Sequence, residues 1–168
     1  MAATIEIHEM SAATTGADKT SGTVRFKDAD DATVDGNNPL VVPAAGSIYS
    51  FTKKVRAYME DAPNTNVSNL RWYSDGTNSF GTGISVTVKN LGTTWGANYK
   101  TAMADGADLF DKTSAAPLDG DGTDTGPFLP AKEDSYIGDL IELQMAVAST
   151  ASSGTLAAET LTLAYDEV

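Results

Sequence analysis

The chain has 168 residues, of which 41% are hydrophobic, a formal net charge of -12 and no cysteine. That length closes one sizeable core and is short for two, and without cysteine both disulfide staples and thiolate metal sites are excluded. The acidic balance argues against nucleic acid or an anionic membrane as partner, because both attract Lys and Arg.

No apolar run approaches the roughly 18 to 20 residues that a membrane-spanning helix needs, so a soluble protein is expected. The opening MAATIEIHEM has neither a basic start nor an apolar stretch, since Glu6, His8 and Glu9 interrupt it, and no export signal is expected. Basic residues are unevenly placed: Lys53, Lys54 and Arg56 stand together, while Lys132 is the only one from Thr113 onward. The cluster reads as a solvated strand face or a docking face.

In chain order, period-2 alternation marks one strand after another. Thr4 to Glu9 sets Ile5 and Ile7 against Glu6 and His8, and residues 1–10 read as an N-terminal edge strand or arm. Ser11 to Gly22, small and polar, reads as a loop. Thr23 to Lys27 sets Val24 and Phe26 against Arg25 and Lys27. Asp28 to Gly46, rich in Asp, Asn, Gly and Pro, reads as a long irregular connection. Ile48 to Glu60 resumes the alternation, with Tyr49, Phe51, Val55, Ala57 and Met59 on one face and Lys53 breaking the row as at a bulge or edge.

After a turn over residues 61–66, Val67 to Ser74 puts Leu70 and Trp72 on one face. Ile84, Val86 and Val88 follow beyond DGTNSFGTG, and the two strands are expected to form a hairpin-like pair. Thr94 to Lys112 is where a helix competes, but Gly106 opposes it at about 1 kcal/mol relative to alanine, so a short helical turn or an excursion loop is expected. Thr113 to Pro130 reads as a long exposed loop. Tyr136 to Ala148 and Leu156 to Tyr165 close the chain as two long strands.

These segments predict an all-β fold: a single-domain antiparallel β-sandwich, jelly-roll-like, with long irregular loops, spanning residues 1–168. The expected core is Val24, Phe26, Phe51, Val55, Leu70, Trp72, Ile84, Val86, Val88, Ile141, Leu143, Met145, Leu161 and Leu163. A register error of one would expose the whole set.

Catalytic parts are scarce. His8 is the only histidine, so Ser-His-Asp, Cys-His and multi-histidine zinc arrangements within one chain are read as lacking their parts; on an alternating strand His8 is expected to face solvent. Phosphate-binding glycine loops and nucleophile elbows are absent from the sequence. Asp139 and Glu142 are the best candidates for a buried acid pair, but their alternating strand predicts ordinary exposure.

Asp28 to Asp31 with Asp35, and Asp119 to Asp124, offer hard oxygen ligands. Neither fits the EF-hand spacing, since Pro130 stands at the twelfth place after Asp119. Both read as solvated acidic turns, so no metal, cofactor or catalytic residue is assigned. Trp72 reads as core because it alternates with Leu70. Trp95, in a loop between Gly92 and Gly96, is the candidate for stacking on a sugar ring.

Taken together, RFKDADDATVDGNNPLVVP, YSFTKKVRAYM, VSNLRWYSDG, GTGISV and the terminal ETLTLAYDEV are similar to a group of small virion proteins encoded among the head genes of tailed bacteriophages. The resemblance runs from about Ile5 to Val168 and rests on structural motifs. It implies a β-rich, non-enzymatic capsid decoration, cement or auxiliary virion protein, made in the host cytoplasm and located on the capsid surface. The partners it implies are the major capsid protein and further copies of the chain, with a trimer guessed from the local three-fold positions of icosahedral lattices, and neither nucleic acid nor membrane. The alternatives are a tail or baseplate component and a carbohydrate-binding β-sandwich module.

Overall fold

The computed structural model describes residues 2–63 and 65–168; Met1, at the start of the N-terminal segment, and Asn64, in the turn over 61–66, lie outside them. The fold is all-β and antiparallel. Its strands are β1 (Thr4–Ala12), β2 (Thr15–Asp18), β3 (Ser47–Tyr49), β4 (Lys53–Asp61), β5 (Val67–Tyr73), β6 (Ile84–Asn90), β7 (Ala107–Asp108), β8 (Leu118–Asp119), β9 (Ser135–Ala148) and β10 (Thr162–Glu167). Seven form one sheet in the order β2-β1-β4-β9-β6-β7, with β3 also on β9, and three form a second in the order β10-β5-β8. Among the described residues, no helix is long and apolar enough to cross a membrane.

The two sheets face each other across a sandwich-like core. From the larger sheet come Val55, Ala57 and Met59 of β4, Ile84, Val86 and Val88 of β6, and Ile137, Ile141, Leu143, Met145 and Val147 of β9. From the smaller come Val67, Leu70 and Trp72. In β6 the alternation is clean, buried at Ile84, Val86 and Val88 and half-buried between, as expected of a strand with one packed face. In β5 it is broken by Asn69, whose φ of 57° lets Val67 join Leu70 and Trp72 inside.

The long central strand β9 organises the larger sheet. It pairs with β4 and β3 along one edge and with β6 along the other. Its pairing with β4 skips between Ile141 and Ile137, opposite Val55 and Ala57. This β-bulge contains Gly138, with φ of +66°, where an added Cβ would stand 2.4 Å from Leu70 Cδ1 and 2.5 Å from the Gly120 oxygen. Only glycine meets both demands without strain. The bulge redirects the next two amides outward, Asp139 to the Gly120 oxygen and Leu140 to the Gly92 oxygen, and so docks two distant loops on β9.

Several local expectations change. β5 and β6 do not form a hairpin; the connection between them crosses from one sheet to the other, and each strand offers its apolar face to the opposing layer. Ser11 to Gly22 contains β2, which takes the sheet edge and leaves β1 between β2 and β4. Thr23 to Lys27 joins no ladder, although Val24 and Phe26 pack half-buried against the core. Ile48 to Glu60 divides because Ser50 is buried and ties itself to Met145 twice, its amide donating to the Met145 oxygen and its hydroxyl accepting from the Met145 amide. Phe51 beside it is half-buried and outside the core cluster.

The segment from Thr94 to Lys112 holds a short helical turn, as expected, a 3-10 turn over Leu109–Asp111, and also the two-residue β7, which was not expected. Thr113 to Pro130 carries β8 and buries Phe128, so it is only partly exposed. The last strand is six residues long, and Leu161 and Leu163 lie half-buried against the core.

Candidate functional site

What the structure builds with most investment of charge is a set of anchors for the two long loops. Lys27, expected on a wet face, is 0% exposed. Its ammonium donates to Asp31 Oδ2 at 2.5 Å, Asp35 Oδ1 at 2.9 Å and the Thr33 oxygen at 3.2 Å. The acidic loop that sequence offered to calcium is thus wrapped around an internal cation. Hydrogen bonds from Lys27, and then from the Thr33 and Asn37 amides, hold Asp31 and Asp35 below the ordinary value of 3.8. The same carboxylates hold Lys27 above its ordinary 10.5. A depressed carboxylate stabilises the fold above its ordinary value and stops doing so as pH falls through its folded value; the lysine contribution is lost only as pH rises through its raised value. The anchor therefore persists across neutral pH and fails in acid.

Lys53 and Lys54 were expected on a solvated or docking face, and they are 3% and 1% exposed. Lys53 reaches Glu9 Oε1 at 3.1 Å and the Asp31 backbone oxygen, so it joins β1 and β4 to the same loop. Lys54 lies 3.0 Å from Glu142 Oε1 and 2.7 Å from Asn98 Oδ1, with its ammonium 5.3 Å from the centre of the Trp95 ring. Asn98 in turn donates to Asp30, and Tyr99 donates to Glu142 Oε2 at 2.9 Å. Burial, and next the Glu142 carboxylate, push the Tyr99 phenol up to about 12.

Asp139 and Glu142, expected to be exposed, are 1% and 2% exposed. The alternation misled because the outer face of the sheet is itself covered, by the 91–106 segment at Glu142 and by the 119–124 turn at Asp139. Glu142 is matched by Lys54. Asp139 accepts from the Thr123 amide at 2.9 Å, the Asp124 amide at 2.8 Å and Asn90 Nδ2 at 2.9 Å. The turn from Asp119 to Asp124 is therefore organised by a buried carboxylate that gathers backbone donors. Arg56 completes it, donating to the Gly138 oxygen at 2.7 Å and to Asp124 Oδ2 at 2.8 Å. Burial, and then the neighbouring Asp119, raise the Asp121 carboxyl.

Between Asp31 and Asp35 the Lys27 ammonium stands where an ion would otherwise sit. Melting curves recorded in EDTA and in millimolar calcium are expected to coincide within about 1 °C, since a ligand stabilises only as far as it exceeds its dissociation constant. A calcium-dependent rise of several degrees would assign the ion to Asp28–Asp35 or Asp119–Asp124.

His8 was expected in solvent and is instead 9% exposed. It lies on the outer face of the larger sheet, opposite Arg56 on β4 and Asp18 on β2, where Tyr58 stacks on its ring at 4.5 Å and Tyr136 meets it edge-on at 5.6 Å. Sequence reasoning missed the burial because the rings of Tyr58 and Tyr136, which close over His8, come from β4 and β9. Trp72 is core, as expected. Trp95 is half-buried and has Lys54 against its ring, which leaves less of it for a sugar.

The outward-facing apolar residues lie elsewhere. Among the described residues, the large hydrophobic side chains that stay exposed are Val34 and Val41 on the first long loop, Leu129 near the end of the second, and Val168. Compared with family models, with curated proteins and with solved structures, the chain finds no match in any of the three.

Proposed function

We propose that this chain is a non-enzymatic virion protein that decorates a phage capsid, binding the lattice of the major capsid protein as a homo-oligomer and stabilising the shell. The observation that supports this reading best is the pairing of rigid loops with exposed apolar tips. Val34 and Val41 stand 48% and 63% exposed on a loop fixed from within by Lys27 and Lys53, and Leu129 is 55% exposed beyond the turn fixed by Asp139 and Arg56. Exposed apolar groups on a preorganised surface favour association, because little conformational entropy remains to be lost on docking. Strong acidity keeps such a protein soluble at high local density. A trimer suits the local three-fold positions of an icosahedral lattice.

The test is addition of the purified protein to undecorated capsids. Saturable co-sedimentation at lattice stoichiometry, with a higher capsid melting temperature, is expected. Val34→Asp with Val41→Asp should weaken binding at least tenfold, while the free protein keeps its stability within about 0.5 kcal/mol per substitution, as surface changes usually do. Density at the tail tip in electron cryo-microscopy, or copies far too few to cover a lattice, would replace this reading with a tail or baseplate role.

A further inference from the structure

The outer face of the β1–β2 hairpin carries a second feature, independent of the loops. Glu6 and His8 are two apart on β1, so strand geometry puts both side chains on one face. Asp18 stands directly across from His8 in the β1–β2 register. Ligand atoms of Glu6, His8 and Asp18 all lie within 4.8 Å of one another, the one such group of three among the described residues. We propose that Glu6, His8 and Asp18 form a site for a borderline divalent metal ion of the zinc class, bound through His8 Nε2 and one oxygen of each carboxylate.

Three observations beyond proximity support the site. The first is the histidine itself: Nδ1 is 3.2 Å from the Tyr136 hydroxyl, Nε2 is 2.8 Å from Glu6 Oε2, and the ring is clamped against Tyr58. One ring nitrogen is thus held by an outer partner while the other points at carboxylates, the arrangement that orients metal-binding imidazoles. The second is the surrounding field. Glu6 has no Lys or Arg partner among the described residues; its one ion-pair contact there is the His8 ring at 2.8 Å. A cation would match its charge.

The third is access. Beside the histidine an open cleft of about 490 Å³ is lined by His8, Gly16, Tyr58, Asp134 and Tyr136. Gly16 keeps it passable, since a Cβ there would stand 2.8 Å from the Tyr136 hydroxyl and 2.9 Å from His8 Cβ. Tetrahedral zinc ligands about 2.0 to 2.2 Å from the ion stand about 3.4 Å apart. Glu6 must therefore open slightly from His8, and Asp18, exposed and on the hairpin edge, must close. An imidazole donor favours zinc over calcium or magnesium, which take oxygen ligands. The fourth ligand would be water.

Zinc chloride titrated against the metal-free full chain, by calorimetry and by competition with a chromophoric chelator, should show one saturable site of micromolar affinity. Zinc should also raise the melting temperature, whereas calcium at equal concentration should not. Glu6→Gln and Asp18→Asn keep side-chain shape and should each weaken binding at least tenfold; His8→Gln should abolish it. Cobalt(II) in place of zinc should give the absorption of a four-coordinate site with a nitrogen ligand. Absence of saturable binding below 1 mM, or zinc affinity unchanged in both Glu6→Gln and Asp18→Asn, would overturn the proposal even if His8→Gln fails to fold.

Discussion

A chain ending at Ser153 is expected to lose cooperative unfolding altogether. The removed segment contains β10, which runs antiparallel to β5 from Thr162 opposite Tyr73 to Glu167 opposite Val67. It also contains Leu156, Leu161, Leu163 and Tyr165, all half-buried against the core. Full burial of such side chains is worth about 1.5 to 3 kcal/mol each, so half-burial of four gives roughly 3 to 6 kcal/mol before any ladder is counted. A domain of this kind has a net stability of about 5 to 15 kcal/mol. The smaller sheet would shrink to β5 and the two-residue β8, and Trp72 would lose its covering neighbour Leu163. Further ties run from this end to the N-terminus: the Ala3 amide donates to Glu167 Oε1 at 2.8 Å, and the Tyr165 hydroxyl to the Ala3 oxygen at 3.4 Å. Circular dichroism and calorimetry of the truncated chain decide the matter, and an unchanged cooperative melt would make β10 an appendage.

Glu142→Leu is expected to destabilise the fold by about 3 to 5 kcal/mol, the usual consequence of removing one partner of a buried ion pair. Lys54 would remain 1% exposed with only Asn98 Oδ1 to accept from it, and the Tyr99 hydroxyl would lose its acceptor. The cost comes mostly from the stranded ammonium, so the double substitution Lys54→Met with Glu142→Leu should recover most of the loss. Urea unfolding of the wild type, both single variants and the double variant completes the cycle. If the double variant were as unstable as the sum of the singles, Lys54 and Glu142 would be acting separately and the loop anchor would lie elsewhere. The same cycle bears on function: capsid binding should fall with Lys54→Met at temperatures where the fold persists, because the 91–106 segment loses a point of attachment.

Expectation and structure part company at particular residues. Lys27 and Lys54 sit in alternating patterns that put charge outward and Lys53 interrupts an apolar row, yet all three are buried, because acceptors surround them: Asp31 and Asp35 of the adjoining loop for Lys27, Glu9 and the Asp31 oxygen for Lys53, Glu142 and Asn98 for Lys54. The short strands β2 and β7 are made of small and polar residues and β8 is only Leu118–Asp119, so none has a hydrophobic period of its own. Their pairing is conferred by the neighbours β1, β6 and β5. The candidate metal site was illegible for the same reason: Glu6 and His8 are a recognisable strand-spaced pair, but Asp18 lay in a segment without strand signal.

What the sequence determined by itself was the set of longer strands and their inward faces: Ile84, Val86 and Val88, Ile141, Leu143 and Met145, and Leu70 and Trp72 are buried as their alternation requires. A pleated strand turns every second side chain the same way, and one face must leave water, so a local pattern suffices there. The tertiary structure alone decided which strands share a sheet, why β5 and β6 part, and where the charged side chains end. Those outcomes depend on partners outside each strand's own pattern: the Gly138 bulge beside which two loops dock, the Asp139 carboxylate that collects amides of the 119–124 turn, and the lysines whose burial is tolerable only with carboxylates or amide oxygens brought to them, four to eight residues on for Lys27 and tens of residues away for Lys53 and Lys54.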